Sequence, residues 1–247
     1  MIDPRLYLLV PVVFIAFVLK GLTGFGPGIV IVPVAALVIG AREAVVLIGI
    51  LDLASNSVIV FRDRATGKHR FWLPMAVAMV AGSGIGGILL KVVPPADFTI
   101  LLAVMIAVVG LWFLSGRRTA NRQALRNEIP SRVGLRDLGV ALAAGIFGGF
   151  FGMAGLLIAW YLGSFLSKEM FRQVIVHILL LSAITRVITY AAAGLLTLEV
   201  FWLSAAAFPL LLAGIYLGGG VLIRISESWF SRVIGVVLLA SSIRMFL

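Results

Sequence analysis

The chain has 247 residues, of which 62% are hydrophobic and 12% are charged, and its mean hydropathy is +1.18. Soluble domains have about 45–50% apolar and about 25% charged residues, so this composition excludes an ordinary soluble protein and indicates an integral membrane protein. The net charge of +10 does not indicate a nucleic acid partner, because most basic residues fall in short loops between apolar runs, as topology signals do. The sequence contains no cysteine, which excludes disulfides and thiolate metal sites, and no cofactor or metal is predicted.

Ten apolar segments of helical length follow one another along the chain, which favours an all-α polytopic membrane protein over a β-barrel. The segments cover residues 6–19, 28–40, 44–61, 72–91 and 97–114 in the first half, and 137–150, 154–166, 173–193, 201–222 and 230–246 in the second. The first two of each half are shorter than the roughly 20 residues that a span needs. They are predicted to form discontinuous or re-entrant helices.

Two glycine-rich breaks interrupt the apolar sequence, one in each half. The first is Gly21-Leu22-Thr23-Gly24-Phe25-Gly26-Pro27-Gly28, and the second is Gly149-Phe150-Phe151-Gly152-Met153-Ala154-Gly155. Irregular backbone is tolerated in a membrane only where it is buried in protein or lines a cavity. Paired Gly or Pro interruptions in two halves are the usual pointer to a transporter's binding site.

Other features recur between the halves and indicate a duplication. The first break recurs after 128 residues, a Phe-Trp pair at 71–72 recurs after 130 at 201–202, and a Gly-x-x-x-Gly-Gly motif at 82–87 recurs after 132 at 214–219. Small residues at this spacing let helix backbones approach closely. The predicted organisation is a first membrane repeat at 1–116, a basic cytoplasmic linker at 117–136 and a second membrane repeat at 137–247.

The distribution of basic residues predicts the orientation of the chain. Fifteen of the 20 Lys and Arg residues are assigned to cytoplasmic loops: Lys20 and those within 62–70, 117–136, 168–172 and 224–232. By the positive-inside rule, this places both termini on the non-cytoplasmic side of the inner membrane. Because each half has five segments, an odd number, the second repeat is predicted to run inverted to the first, as in many secondary transporters. The basic linker is expected to rest near anionic lipid, and the helix faces rich in small residues permit a homodimer.

The two breaks resemble signatures of a known family. Gly21 to Gly28, followed by Pro33, is similar to the first signature of the sulfite exporter TauE/SafE family of membrane permeases, and Gly149 to Gly155 is similar to the second. The resemblance covers nearly the whole chain, including its length, its duplication and its basic central loop. It implies transport of small anions, chiefly sulfite or organosulfonates, usually outward.

Arg186 is the strongest candidate for an anion ligand, because it lies within an apolar segment where a charge costs roughly 2.5–3.5 kcal/mol. Its planar fork matches two oxygens of a sulfite, sulfonate or carboxylate. Ser182 and Thr189 lie on the same helical face and offer hydroxyl donors. Two structural roles remain open for Arg186: an ion pair with Asp52, or snorkelling toward the outer interface.

The corresponding segment of the first half contains Asp52, Asn56 and Ser57, of which Asp52 and Asn56 share a helical face. Asp52 is either a proton carrier coupled to anion movement or the counter-ion of Arg186, and the second role is favoured. Asn56 is predicted to contact either the substrate or a neighbouring helix. Ser57 falls opposite Arg186 in the aligned repeats and is a further substrate-contact candidate.

Backbone N–H groups of the breaks form a second way to hold an anion, because consecutive N–H groups and helix N-termini make positive concavities. Close helix packing alone is the alternative role of the glycines. The candidates within the breaks are Gly24, Phe25, Gly26, Gly152 and Met153.

Two further polar residues are interpreted more simply. Lys20 either attracts anions to the inner mouth or serves as a topology signal. His177 is expected to be a satisfied polar neighbour and not a proton relay.

The sequence predicts a secondary transporter, acting as an exporter, of small sulfur-containing oxyanions that rocks one repeat against the other around a mid-membrane site. The alternatives are an anion channel and a permease for another small anion such as a carboxylate. An embedded enzyme is disfavoured, because there is no His-Glu-x-x-His motif and no plausible carboxylate pair within one segment.

Overall fold

The computed structural model describes residues 9–63, 72–115, 133–220 and 227–246, and every regular element of at least four residues in these ranges is a helix. There are ten of them. The helices are α1 (Leu9–Thr23), α2 (Pro27–Ile39), α3 (Ala41–Asp63), α4 (Leu73–Val92), α5 (Pro95–Leu114), α6 (Leu135–Phe151), α7 (Gly155–Leu162), α8 (Lys168–Ala192), α9 (Leu198–Gly220) and α10 (Glu227–Phe246). The all-helical prediction is confirmed, and each predicted apolar segment corresponds to one helix.

Helix length also follows the prediction. Five helices (α3, α4, α5, α8 and α9) are long and apolar enough to cross a membrane. The first two of each half are short, with 15 and 13 residues in α1 and α2 and 17 and 8 residues in α6 and α7. Most of the predicted basic linker at 117–136, and much of the basic loops at 62–70 and 224–232, lies outside the described residues.

The helices end at the two glycine breaks because the backbone there turns left-handed. Gly24 and Gly26, between α1 and α2, have φ values of +84° and +101°, and Gly152, after α6, has a φ of +75°. Residues other than glycine adopt these angles only at a cost. Pro27 then begins α2, a position where its missing N–H has no intrahelical acceptor in any case. The predicted discontinuous helices are therefore present at both breaks.

Glycines bring two pairs of helices into direct backbone contact. In α4, a Cβ added at Gly82 or Gly86 would collide with the carbonyl oxygens of Leu142 and Ile146 in α6. In α9, a Cβ at Gly214 would lie 2.9 Å from the carbonyl oxygen of Phe14 in α1, and one at Gly218 would collide with that of Val18. The predicted close approach at both Gly-x-x-x-Gly motifs is confirmed.

The helix pairings repeat between the two halves. α4 packs along α6 as α9 packs along α1, α4 contacts α8 as α9 contacts α3, and α5 packs against α10. Helix n of the first half corresponds to helix n + 5 of the second half, and exchanging corresponding helices converts each of these pairings into its counterpart. This packing is compatible with the predicted inverted repeats, and it interlaces the two halves.

Apolar side chains point outward from the peripheral helices, while the central helices are buried. Ile100, Val104, Val108 and Leu111 of α5 are each at least 48% exposed, whereas Val45, Ile48 and Leu51 of α3 are buried. An exposed apolar surface of this kind suits a lipid environment, in which buried polar groups are confined to the interior. The functional candidates accordingly lie on α3, α8 and the two breaks.

Candidate functional site

The two glycine breaks, far apart in sequence, meet at the centre of the molecule. A Cβ at Gly28 would collide with the carbonyl oxygen of Gly152, and a Cβ at Gly155 would lie 3.3 Å from Cβ of Phe25. Both breaks line one small cavity together with Asp52. The cavity has room for roughly one water molecule.

Two helix N-termini face this cavity. The first residues of α2, Pro27 and Gly28, and the first residue of α7, Gly155, all belong to its lining, and neither helix has a side-chain cap. The leading N–H groups of a helix have no intrahelical acceptor and carry the positive end of its dipole. The cavity therefore presents positive backbone from both halves of the chain.

A buried ionic triad lies beside the cavity. Nζ of Lys20 is 2.7 Å from Oδ1 of Asp52, and Nη2 of Arg186 is 2.9 Å from Oδ2 of the same carboxylate. Lys20 and Arg186 are 0% exposed and Asp52 is 7% exposed. Two cations thus share one carboxylate, which leaves an excess of one positive charge in the protein interior.

The position of Lys20 corrects the sequence interpretation. The pattern of basic residues assigns it to a cytoplasmic loop, but it lies in the last turn of α1 and is fully buried. It ends an apolar run, as a topology signal does, and its partner is 32 residues away on α3. Only the ion pair that it forms with α3 in the folded structure places it beside the cavity.

Several polar atoms around the triad have no partner among the described residues. They are Nε and Nη1 of Arg186 and both side-chain amide atoms of Asn56. Asn56 is fully buried one helical turn from Asp52. An unsatisfied buried polar group costs about 1–3 kcal/mol, and more where it is charged. The unpaired N–H groups are consistent with an anion-binding role for Arg186 and with a substrate contact for Asn56.

The hydroxyl candidates are engaged elsewhere. Oγ of Ser182 lies 2.7 Å from Oγ of Ser83 on α4, and Oγ of Ser57 donates to the carbonyl oxygen of Leu53 at 2.8 Å. Thr189 packs against α4, where a Cβ at Gly87 would lie 2.7 Å from its methyl group. Ser182 and Thr189 thus contact α4, and Ser57 bonds within its own helix; their role as substrate contacts stays a prediction.

The candidates in the breaks lie around the cavity. Gly26, Gly152 and Met153 belong to its lining. Phe25 packs edge-to-face on Phe171 of α8, with ring centroids 5.7 Å apart. Gly24 faces α8, where a Cβ would lie 3.5 Å from side-chain atoms of Arg172 and Ile175.

Two further side chains of α8, Tyr190 and His177, contact residues outside their own helix. Tyr190, which sequence analysis did not identify, is buried and donates to the carbonyl oxygen of Gly149 at 2.7 Å, linking α8 to α6. His177 stacks on Trp72 with centroids 5.3 Å apart, and its Nδ1 lies 2.6 Å from the carbonyl oxygen of Gln173. His177 is thus partnered, as expected. No group of three or more His, Asp or Glu residues that could hold a metal occurs in the described part of the chain.

Lipid-facing helices, two broken helices and a buried charged centre together define a multi-pass membrane protein with an internal polar site. Comparison with protein families makes the assignment more specific. Residues 9–245 match the family described as sulfite exporter TauE/SafE. The chain belongs to this family.

Curated relatives agree with a membrane protein of this kind. Over 140 residues the chain is 28% identical to a "Probable membrane transporter protein" of Xylella fastidiosa strain Temecula1, and 27% identical to one of strain 9a5c. Each alignment covers 55% of this chain and 53% of the relative, so the match spans about half the length of these proteins. No solved structure matches the chain.

Proposed function

We propose that this protein is a secondary transporter of small sulfur-containing oxyanions such as sulfite or organosulfonates. The observation that carries the proposal is the triad of Lys20, Asp52 and Arg186, in which two buried cations share one carboxylate. A buried charge in a membrane protein is costly and is retained mainly where it serves a pathway or a ligand. Membership of the TauE/SafE family supports a sulfite-type anion as the substrate.

The anion binds between Arg186 and the two breaks. Nε and Nη1 of Arg186 make no hydrogen bond of normal geometry with the described residues, although the hydroxyl of Tyr190 neighbours the guanidinium, and guanidinium groups bind oxyanions through parallel hydrogen bonds. The N-termini of α2 and α7 add backbone donors from the other side of the cavity. In the conformation described, the cavity is too small for a sulfonate, so binding requires the two breaks to move apart.

Transport proceeds by alternating access, with the site near the middle of the inner membrane and both termini outside. Net movement is outward in the cell. The protein functions in the membrane as a single chain or as a homodimer, and small anions and membrane lipid are its partners.

An anion channel would use the same positive lining without coupling to a conformational cycle. A permease for a small carboxylate would use the same guanidinium fork. Saturable flux with counterflow distinguishes a carrier from a channel, and competition among anions distinguishes the substrates.

The direct test is sulfite counterflow in proteoliposomes, with thiosulfate, sulfoacetate, sulfate and acetate as competitors and with or without a pH gradient. We expect saturable counterflow that Arg186→Gln abolishes. Arg244→Gln is the matched control, because Arg244 is exposed at the end of α10. Flux that neither saturates nor shows counterflow would indicate a channel, and preferential inhibition by acetate would indicate a carboxylate permease.

A further inference from the structure

The fourth helix of each half packs with the other half. α9 lies along α1 and contacts α3, while α4 lies along α6 and contacts α8. We divide eight of the ten described helices according to these exchanges, although the two groups also pack against each other along α3 and α8. We name α1, α2, α3 and α9 the first module, and α4, α6, α7 and α8 the second module.

Backbone contacts hold the exchanged helix within each module. In the second module the contacts are reciprocal: a Cβ at Gly145 of α6 would collide with the carbonyl oxygen of Met79 of α4, and one at Gly149 with that of Ser83. In the first module, a Cβ at Gly21 of α1 would lie 2.7 Å from the carbonyl oxygen of Ile215 of α9. Each exchanged helix therefore has close backbone contacts with its partner over more than one turn, which leaves the pair little room to shift.

Polar contacts add to the cohesion of the first module. Lys20 of α1 binds Asp52 of α3 at 2.7 Å. Arg62 of α3 donates to the carbonyl oxygen of Ile215 of α9 at 3.1 Å. These contacts tie α9, which belongs to the second half of the sequence, to helices of the first half.

Equivalent contacts occur in the second module. Ser83 of α4 and Ser182 of α8 share a hydrogen bond of 2.7 Å, and Tyr190 of α8 binds the carbonyl oxygen of Gly149 of α6. Rocking one repeat against the other, as the sequence predicts, would break the contacts of both modules at once.

The candidate site lies on the boundary between the modules. Asp52 of α3 binds Arg186 of α8 at 2.9 Å, and the two breaks touch at Gly28 and Gly152. The ion pair therefore joins the modules at the point where the anion is proposed to bind.

We propose that the moving units are these two modules and that the Asp52–Arg186 pair is a latch between them, opened by the substrate anion when it replaces Asp52 on Arg186. This inference rests on the proposed function. It also accounts for the second cation of the triad. When Arg186 turns to the anion, Lys20 still neutralises Asp52, so opening the latch leaves no buried carboxylate unpaired.

The first test is a disulfide between α4 and α8. Oγ atoms of Ser83 and Ser182 are 2.7 Å apart, close enough for two cysteines to form a bond of about 2.05 Å with small adjustment. The sequence has no cysteine of its own. Oxidised Ser83→Cys/Ser182→Cys protein should keep sulfite counterflow close to that of its reduced form, with Ser83→Cys alone as the control. Loss of counterflow on oxidation, restored by reductant, would show movement of repeat against repeat and overturn the module assignment.

The second test separates the latch from a structural ion pair. Asp52→Asn removes the carboxylate that competes with the substrate for Arg186, so sulfite should bind about tenfold tighter while counterflow falls. Weaker or unchanged sulfite binding in this variant, measured by calorimetry on folded protein, would overturn the latch. Absence of sulfite binding and counterflow in the wild-type protein would instead overturn the proposed function, and the latch with it.

Discussion

At the scale of single residues, the central feature is a carboxylate shared by two cations in a fully buried position. Asp52 accepts Lys20 on one oxygen and Arg186 on the other. The sequence predicted the pair of Asp52 with Arg186 as one of two roles, since both residues stand out as charges in apolar helices. It could not indicate Lys20, because a lysine that ends an apolar run has the same pattern whether it faces lipid headgroups or the protein interior.

The charge count predicts an order of stability among variants of the triad. Asp52→Ala leaves two buried cations without a counter-charge and should destabilise the protein by about 3–5 kcal/mol. Lys20→Met leaves a neutral pair of Asp52 and Arg186 and should cost much less. Thermal unfolding of the purified variants measures this order. Equal losses for both substitutions would contradict the charge count.

Arg186→Lys tests the guanidinium fork. Lysine keeps the positive charge but loses the planar pair of donors. Loss of one charge-assisted contact, worth about 1.5–3 kcal/mol, should weaken sulfite binding roughly ten- to a hundredfold. Titration of the purified variant with sulfite gives the affinity, and thermal unfolding shows whether the fold is intact. Unchanged affinity would show that Arg186 has a structural role and does not bind the anion.

At the scale of elements, glycine decides both where helices break and where they touch. The breaks were predictable, since clustered glycines weaken a helix within apolar sequence. Their meeting was suggested by the repeat, but the contact of Gly28 with Gly152 depends on how α2 and α6 pack. The hydroxyl of Ser182 illustrates the limit of helical spacing: it shares a face with Arg186, yet it bonds to Ser83 of α4.

Leucine at the breaks should abolish transport. Gly24 and Gly152 both have positive φ values, and a Cβ at Gly152 would lie 2.8 Å from the side chain of Ile48. Gly24→Leu and Gly152→Leu should therefore reduce sulfite counterflow to below about a tenth of wild type while membrane insertion continues. Gly139→Leu is the control in α6, because no described atom lies within 4 Å of its added Cβ. Normal counterflow in both break variants would show that the breaks do not form the anion site.

A smaller change tests the backbone contact between α4 and α6. Gly86→Ala places a methyl group against the carbonyl oxygen of Ile146, whereas Gly84→Ala meets only the methyl group of Thr185 at 3.8 Å. We expect Gly86→Ala to destabilise the protein by about 1–3 kcal/mol, as overpacking does. Gly84→Ala, in the same helix, should be close to neutral or slightly stabilising. Thermal unfolding of the two variants makes the comparison, and equal melting temperatures would count against a close-packed interface.

At the scale of the whole molecule, the halves are interlaced and not side by side. Each half contributes its fourth helix to the other, and α5 and α10 pack together. The sequence predicts a duplication, because glycine motifs recur at nearly constant offsets. The exchange of the fourth helices could not be predicted, because a glycine motif shows that a helix packs closely without showing which helix is its partner.

Orientation in the membrane is tested by labelling. The bias of basic residues predicts that the loop after α8 lies outside and that the central linker lies inside. A cysteine at Thr197, which is exposed, should react with an impermeant maleimide on intact cells. A cysteine at Ser131, outside the described residues, should react only after the cells are opened. Labelling of the Ser131 variant from outside would reverse the orientation.

The sequence by itself determined the membrane class, the ten helices, the two breaks and the two charges Asp52 and Arg186 within apolar segments, because hydropathy and glycine conformation act locally along the chain. Only the tertiary structure decided that Lys20 joins Asp52, that Ser182 bonds to Ser83 of another helix and that the fourth helices are exchanged. These outcomes depend on contacts between residues tens to hundreds of positions apart, whose pairing is set by packing and by the cost of burying an unpaired charge.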